Sequence, residues 1–264
     1  MSASKIVYLI SGANRGIGLG LVESLSKNES NIVIGGARDP SKPSGLNDLA
    51  KERSNVHVVK LTSANVEDNK GAAKFIEEKF GKLDVVIANA YGFHFILAFL
   101  LNSASAKPGD IRGISNAYTS ALTVSLEQVN DHYQVNTVGP LVLFQAVGPL
   151  LLKSANPKWV LISTAAASLG APFPLLVTAY GASKAAANFI STKIHQENPN
   201  LVVLSISPGW VKTDMGNFGA ASVGMKEAPV TIADSVAGVL KVVHDSTRAE
   251  SGRFWDQEGK ELVW

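Results

Sequence analysis

Short runs of aliphatic and β-branched residues recur along the chain, separated by longer stretches whose apolar positions follow helical spacing. Lys5 to Ser11, Asn31 to Ala37, Val56 to Leu61, Leu83 to Ala88, Trp159 to Ser163 and Leu201 to Ser207 make up the first set. Their nearly continuous apolar character predicts parallel strands buried on both faces. Ile17 to Lys27, Val66 to Phe80, Leu126 to Leu152, Ala179 to Gln196 and Thr231 to Val243 make up the second set. Alternation of the two predicts an α/β fold, a doubly wound parallel sheet with helices on both faces. Gly252 to Trp264 adds a last short strand, Arg253-Phe254-Trp255, and a turn at Glu258-Gly259. No internal repeat and no shift in composition marks a linker, so the 264 residues read as a single domain.

Composition narrows the partners. A hydrophobic content of 46% is ample for a large core. Charged residues make up 17%, the net charge is +2, and no block of lysine or arginine would track a phosphate backbone, which argues against nucleic acid. There is no cysteine, and Met1-Ser2-Ala3-Ser4-Lys5 runs into a strand rather than a signal peptide. The apolar run from Phe93 to Leu101 falls far short of the roughly 20 residues that span a bilayer. The expectation is a soluble cytoplasmic protein with no membrane partner. His57, His94, His132, His195 and His244 are scattered without metal-ligand spacing, so no metal is expected.

The first predicted strand ends at Ser11, and Gly12-Ala13-Asn14-Arg15-Gly16-Ile17-Gly18 then opens a helix. Glycines in that context allow a tight turn and close approach of backbone to a pyrophosphate, while the helix start supplies free N–H groups. The second strand decides between cofactors. An acidic residue at its end would bond the adenosine ribose, whereas arginine accommodates a 2′-phosphate. Here the strand ends Gly35-Gly36-Ala37-Arg38, and Arg15 adds a second cation; Asp39 comes one position late. The pair favours NADP(H). Far downstream, Tyr180 and Lys184 stand four apart on a predicted helix and share a face. A free tyrosine has a pKa of about 10, and lowering it by two units takes roughly 2.7 kcal/mol, within reach of a nearby ammonium.

With Asn89-Ala90 after the fourth strand, Asn136 in the following helix, Tyr180 with Lys184, and Pro208-Gly209 after the sixth strand, the chain resembles the short-chain dehydrogenase/reductase family. The resemblance spans nearly all of it and implies a Rossmann-type domain. The wording around the motifs is similar to that of small fungal NADPH-dependent carbonyl or ketone reductases. The resemblance implies that Tyr180 protonates a carbonyl oxygen as hydride leaves the nicotinamide, with Thr164 or Ser163 hydrogen-bonded to that oxygen. It implies that Lys184 also holds the nicotinamide ribose, and that Asn136 supports a water connecting Lys184 to solvent. The implied cofactor site comprises Gly12, Asn14, Arg15, Gly16, Ile17, Gly18, Arg38, Ser63, Asn89, Ala90, Tyr180, Lys184, Pro208, Gly209, Val211 and Thr213. Many relatives pair subunits through the helices at Leu126 to Leu152 and Ala179 to Gln196, which implies a homodimer or homotetramer.

Three departures stand out. Leu61-Thr62-Ser63 offers hydroxyls where the family has an aspartate beside the adenine, and Ser163-Thr164 replaces paired serines. After Asn89-Ala90 the family has glycine; here Tyr91 begins a stretch to Arg112 that matches nothing in the pattern. Deleting these 22 residues joins Ala90 to Gly113-Ile114-Ser115 and restores Asn-Ala-Gly-Ile. Two readings stay open: an atypical insertion, or a translated intron whose end codons, for tyrosine and arginine, are compatible with GT and AG borders. The favoured function is NADP(H)-dependent reduction of an aldehyde or ketone, or the reverse oxidation of an alcohol. The alternatives are a catalytically weak dinucleotide-binding protein compromised by the insertion, and an NAD-linked alcohol dehydrogenase.

Overall fold

The computed structural model describes residues 5–90, 118–171 and 173–264. The proposed insertion, residues 91–112, lies outside the described residues. Seven strands, β1 (Ile6–Ser11), β2 (Asn31–Ala37), β3 (Val56–Lys60), β4 (Val85–Ala88), β5 (Lys158–Ile162), β6 (Val202–Ser207) and β7 (Arg253–Asp256), form one sheet in the order β3-β2-β1-β4-β5-β6-β7. Every neighbouring pair is parallel. The chain builds outward from β1 through β2 to β3, then crosses back to lay β4 on the other side of β1. That reversal makes β1 and β4 the topological switch point of a doubly wound, Rossmann-type sheet, where a crevice opens beyond the strand ends.

Burial explains the apolar strand runs. All six residues of β6 and all but the first of β1 are buried. One face of the sheet packs on α1 (Gly16–Leu25), α2 (Gly45–Glu52) and α8 (Ile232–Asp245), through Leu21, Leu46, Val239 and Val243. The other face packs on α3 (Val66–Phe80), α5 (Gly139–Leu151) and α6 (Thr178–Glu197), through Ile76, Leu143, Leu151 and Ile194. Full burial of each such side chain contributes about 2 kcal/mol. Local chemistry sets the helix ends. Asn65 caps α3 by accepting from Asp68 N–H at 2.9 Å, and Gly81 closes the same helix at φ +69°.

The single helix expected over Leu126 to Leu152 is interrupted. α4 (Leu126–Tyr133) starts on a Ser125–Gln128 capping box, a five-residue π-helical segment follows at Gln134–Val138, and α5 continues. Pro140 has no N–H to give to the Asn136 carbonyl, and Gly139 N–H reaches the Gln134 carbonyl five residues back. Two helices were not expected from the apolar spacing: α2, with Leu46 as its one buried residue, and α7 (Asp214–Ser222).

Candidate active site

The glycine turn and the end of β4 are stitched together at the switch point. Ser11 Oγ accepts from the N–H groups of Asn89 and Ala90, each at 3.0 Å. Asn89 Nδ2 donates to the Ser11 carbonyl at 3.1 Å and the Gly12 carbonyl at 3.2 Å, while its Oδ1 is buried without a partner among the described residues. Gly12 adopts φ +65°, and a Cβ there would stand 2.8 Å from the Ala90 Cα; a Cβ on Gly18 would overlap the Gly12 carbonyl oxygen. The turn is therefore restricted to glycine by both backbone angle and space. Helix α1 then begins at Gly16 with no side-chain cap and no acidic residue in its first turn. Its first N–H groups are left for an anion.

The residues expected around an adenosine phosphate lie at the rim. Asn14 and Arg15 are exposed beside the glycine turn, and Arg38 is exposed just beyond β2. Arg15 reaches across to Asp214, the first residue of α7, at 3.8 Å. Ser63 is half-buried after β3, 3.1 Å from where a Cβ on Gly139 would sit.

The reacting wall comes from β5 and α6. Lys184 is 1% exposed, and its Nζ donates to the Ile162 carbonyl at 2.8 Å. Burial pulls its pKa from 10.5 down to about 7, so the amine can exchange a proton near neutrality. Tyr180 stands one helical turn earlier, with its ring edge-on to His132 at 5.9 Å. Ser163 is 2% exposed and donates through Oγ to Asn188 Oδ1 at 2.7 Å. Thr164 is half-buried, and its hydroxyl accepts from Ala166 N–H at 3.3 Å, which caps the short turn at Ala165–Ala167. Asn136 is fully buried in the π-helical segment, with Nδ2 3.0 Å from Ser183 Oγ and 3.3 Å from His132 Nδ1. The π-helix thus brings the Asn136 amide against the turn of α6 that carries Lys184.

The segment after β6 closes the other side. Gly209 has φ +84°, Ser235 Oγ holds the Pro208 carbonyl at 2.7 Å, and Thr213 caps α7 by accepting from Gly216 N–H at 3.2 Å. A cavity of about 280 Å³ lies between these walls. Ile17, Ser163, Thr164, Tyr180, Lys184, Pro208, Gly209, Val211 and Thr213 all line it. Arg15 and Gly16 border an adjoining cavity with Thr213 and Asp214. The remaining expected residues, Gly12, Asn14, Gly18, Arg38, Ser63, Asn89, Ala90 and Asn136, lie outside the lining of the main cavity. Tyr118, Phe173 and Leu175 also line it and belong to none of the motifs. His132, which belongs to none of the motifs, is buried between Asn136 and Tyr180, and its position four before Asn136 places the two side chains on one helical face.

Among the described residues, no cluster of three metal-ligating side chains occurs, and no helix is long and apolar enough to cross a membrane. The model of the short chain dehydrogenase family matches residues 6–221. The chain belongs to that family. It is 35% identical over 278 aligned positions to a norsolorinic acid ketoreductase of Dothistroma septosporum, covering 99% of this chain and 94% of that one. An uncharacterised oxidoreductase of Schizosaccharomyces pombe is 32% identical over the full length of both chains. Among solved structures, the NADPH-bound carbonyl reductase from chicken fatty liver superposes with a TM-score of 0.78 at 29% identity, over 98% of this chain and 100% of that chain. Membership in this oxidoreductase family agrees with the order of the glycine turn, Asn136, Tyr180 and Lys184 along the chain.

Proposed function

We propose that the protein is an NADP(H)-dependent reductase of aldehydes or ketones. The observation that carries this reading is the convergence on one cavity of Tyr180, Thr164 and the buried Lys184 with Ile17 of the glycine turn and Thr213. The names of the similar proteins, a ketoreductase and an NADPH-bound carbonyl reductase, support it. The glycine-restricted turn, the uncapped start of α1 and an Asn89 Oδ1 without a partner among the described residues fit a dinucleotide. Gly12, Gly16, Ile17 and Gly18 would hold its pyrophosphate, Arg15 and Arg38 its 2′-phosphate, and Asn14, Ser63, Asn89 and Ala90 its adenosine side. Pro208, Gly209, Val211 and Thr213 would cup the nicotinamide, which when bound supplies the hydride.

The chain's own residues supply the proton and the geometry. Tyr180 gives its phenolic proton to the carbonyl oxygen, and Thr164 donates a hydrogen bond to the same oxygen. Ser163, already committed to Asn188, positions the end of β5. Lys184, poised near pH 7, restores charge balance beside the phenol, and Asn136 supports a water that connects that lysine to solvent. Proton donor and hydrogen-bond donor then sit on one rigid frame, α6 against β5.

Cofactor choice gives the test. The Arg15–Asp214 pair is exposed on both sides, so it contributes at most about 1 kcal/mol and yields readily to a phosphate. Rates of NADPH and NADH oxidation are measured with a panel of aldehydes and ketones. The native chain is expected to prefer NADPH, and Arg38→Asp to move the preference toward NADH by about 10-fold or more, as loss of a charge-assisted bond requires. An unchanged preference would refute the assignment of Arg38, and no oxidation of either cofactor would refute the reductase.

A further inference from the structure

Tyr118 belongs to none of the family motifs, yet it touches three parts of the site. Its ring lines the cavity with Tyr180 and lies 5.6 Å from the Phe218 ring at a tilt of 40°. Its Oη donates to the Met215 carbonyl at 3.1 Å, across 97 residues of sequence. Gly219 provides the seat: a Cβ there would overlap Tyr118 Oη and stand 2.6 Å from Cζ. The next residue, Thr119, accepts through its carbonyl from Thr178 N–H at 3.1 Å, and Thr178 begins the helix that carries Tyr180. Two consecutive residues therefore span from α6 to α7. Burial raises the Tyr118 phenol above its ordinary pKa, which keeps it a neutral donor.

Helix α7 depends on such ties. Its nine residues, Asp-Met-Gly-Asn-Phe-Gly-Ala-Ala-Ser, include two glycines, and its buried residues are Gly216, Gly219 and Ala220. Intrinsic helix propensity and core burial are both low. Trp210 Nε1 donates to the Gly216 carbonyl at 2.9 Å, but from the segment that leads directly into α7. Tyr118 is a tie from a distant part of the chain, and it is better buried than the exposed Arg15–Asp214 pair at the start of α7.

We propose that Tyr118 is a specificity-determining residue, a strap that fixes α7 as the roof of the Tyr180 cavity and limits the bulk of the carbonyl compound reaching the proton donor. This deepens the reductase reading and rests on it. The test combines amide hydrogen exchange with NADPH-dependent reduction of acetophenone and the bulkier benzophenone. In Tyr118→Ala, exchange across Asp214–Ser222 is expected to speed by about 10-fold while α3 is unchanged. The kcat/KM ratio of benzophenone to acetophenone is expected to rise by about 10-fold. Gly219→Ala keeps the phenol but takes its seat, and should shift both readings the same way. Tyr118→Phe keeps the ring and loses only the Oη bond, which should give a shift of about threefold. Should Tyr118→Ala fail to fold, the other two variants carry the same comparison. Unchanged exchange in α7, or equal falls for both ketones, overturns the strap. If the native chain reduces neither ketone, the smallest and the bulkiest carbonyl compounds that it does reduce replace them; if it reduces none, the reductase reading fails and the size limit with it, while the exchange measurement still decides the strap.

Discussion

Tyr180→Phe is expected to lower ketone turnover by about a thousandfold, inside the range that a positioned general acid contributes. The phenylalanine ring keeps its place at the edge of His132 and loses only the hydroxyl proposed as the proton donor. Binding of NADPH, read by fluorescence titration, should stay within about twofold, because the phosphate-holding residues are untouched. The cofactor then remains bound and unspent. A variant that turned over at the native rate would remove Tyr180 from the chemistry. A variant that lost NADPH binding as well would make Tyr180 part of the cradle instead.

The second large effect concerns Lys184 and is read in stability as well as rate. Its folded-state pKa of about 7 lies below the ordinary 10.5, with burial as the cause. Between those values the unfolded chain binds the extra proton, so native stability rises with pH across that window at about 1.4 kcal/mol per unit. Below pH 7 the amine is charged in both states and the full burial cost applies. Lys184→Met fills a similar volume without charge and gives up the bond to the Ile162 carbonyl, worth about 1 kcal/mol at any pH. Relative to the native chain, the variant should be most stable below pH 7 and should lose about 2–3 kcal/mol of that standing by pH 9. Urea unfolding of both chains at pH 6, 7.5 and 9 measures the gap. A gap independent of pH would show that burial does not hold the amine near neutrality. Turnover of the same variant should fall by about 100-fold or more.

Much of the fold was legible because its strands are buried on both faces. Asn31 to Ala37 and Leu201 to Ser207 read as apolar runs, and the structure places strands at Asn31–Ala37 and Val202–Ser207. The glycine run, Tyr180 with Lys184, and Pro208-Gly209 were legible as motifs because each needs particular residue types at fixed spacing. What escaped the pattern depends on distant partners. Helix α7 has glycines at 216 and 219 and gains its place from Thr213, Trp210 and Tyr118 rather than from apolar spacing. Helix α2 buries one side chain, too few to give a helical stripe. The π-helical step at Gln134–Val138 was hidden inside a long helical pattern, although Pro140 was the residue to read. Of the two hydroxyls after β5, sequence left the choice open; the bond from Ser163 to Asn188 depends on a residue 25 positions away.

In the proposed reaction this crevice delivers hydride from a nicotinamide to a carbonyl carbon while Tyr180 supplies the proton. The decisive measurement is single turnover of a ketone with NADPH carrying deuterium at both C4 positions, followed by NMR of the product. Deuterium is expected at the carbinol carbon with the native chain, and no labelled alcohol on the same timescale with Tyr180→Phe. Unlabelled alcohol, or no alcohol from a native chain saturated with NADPH, would contradict it.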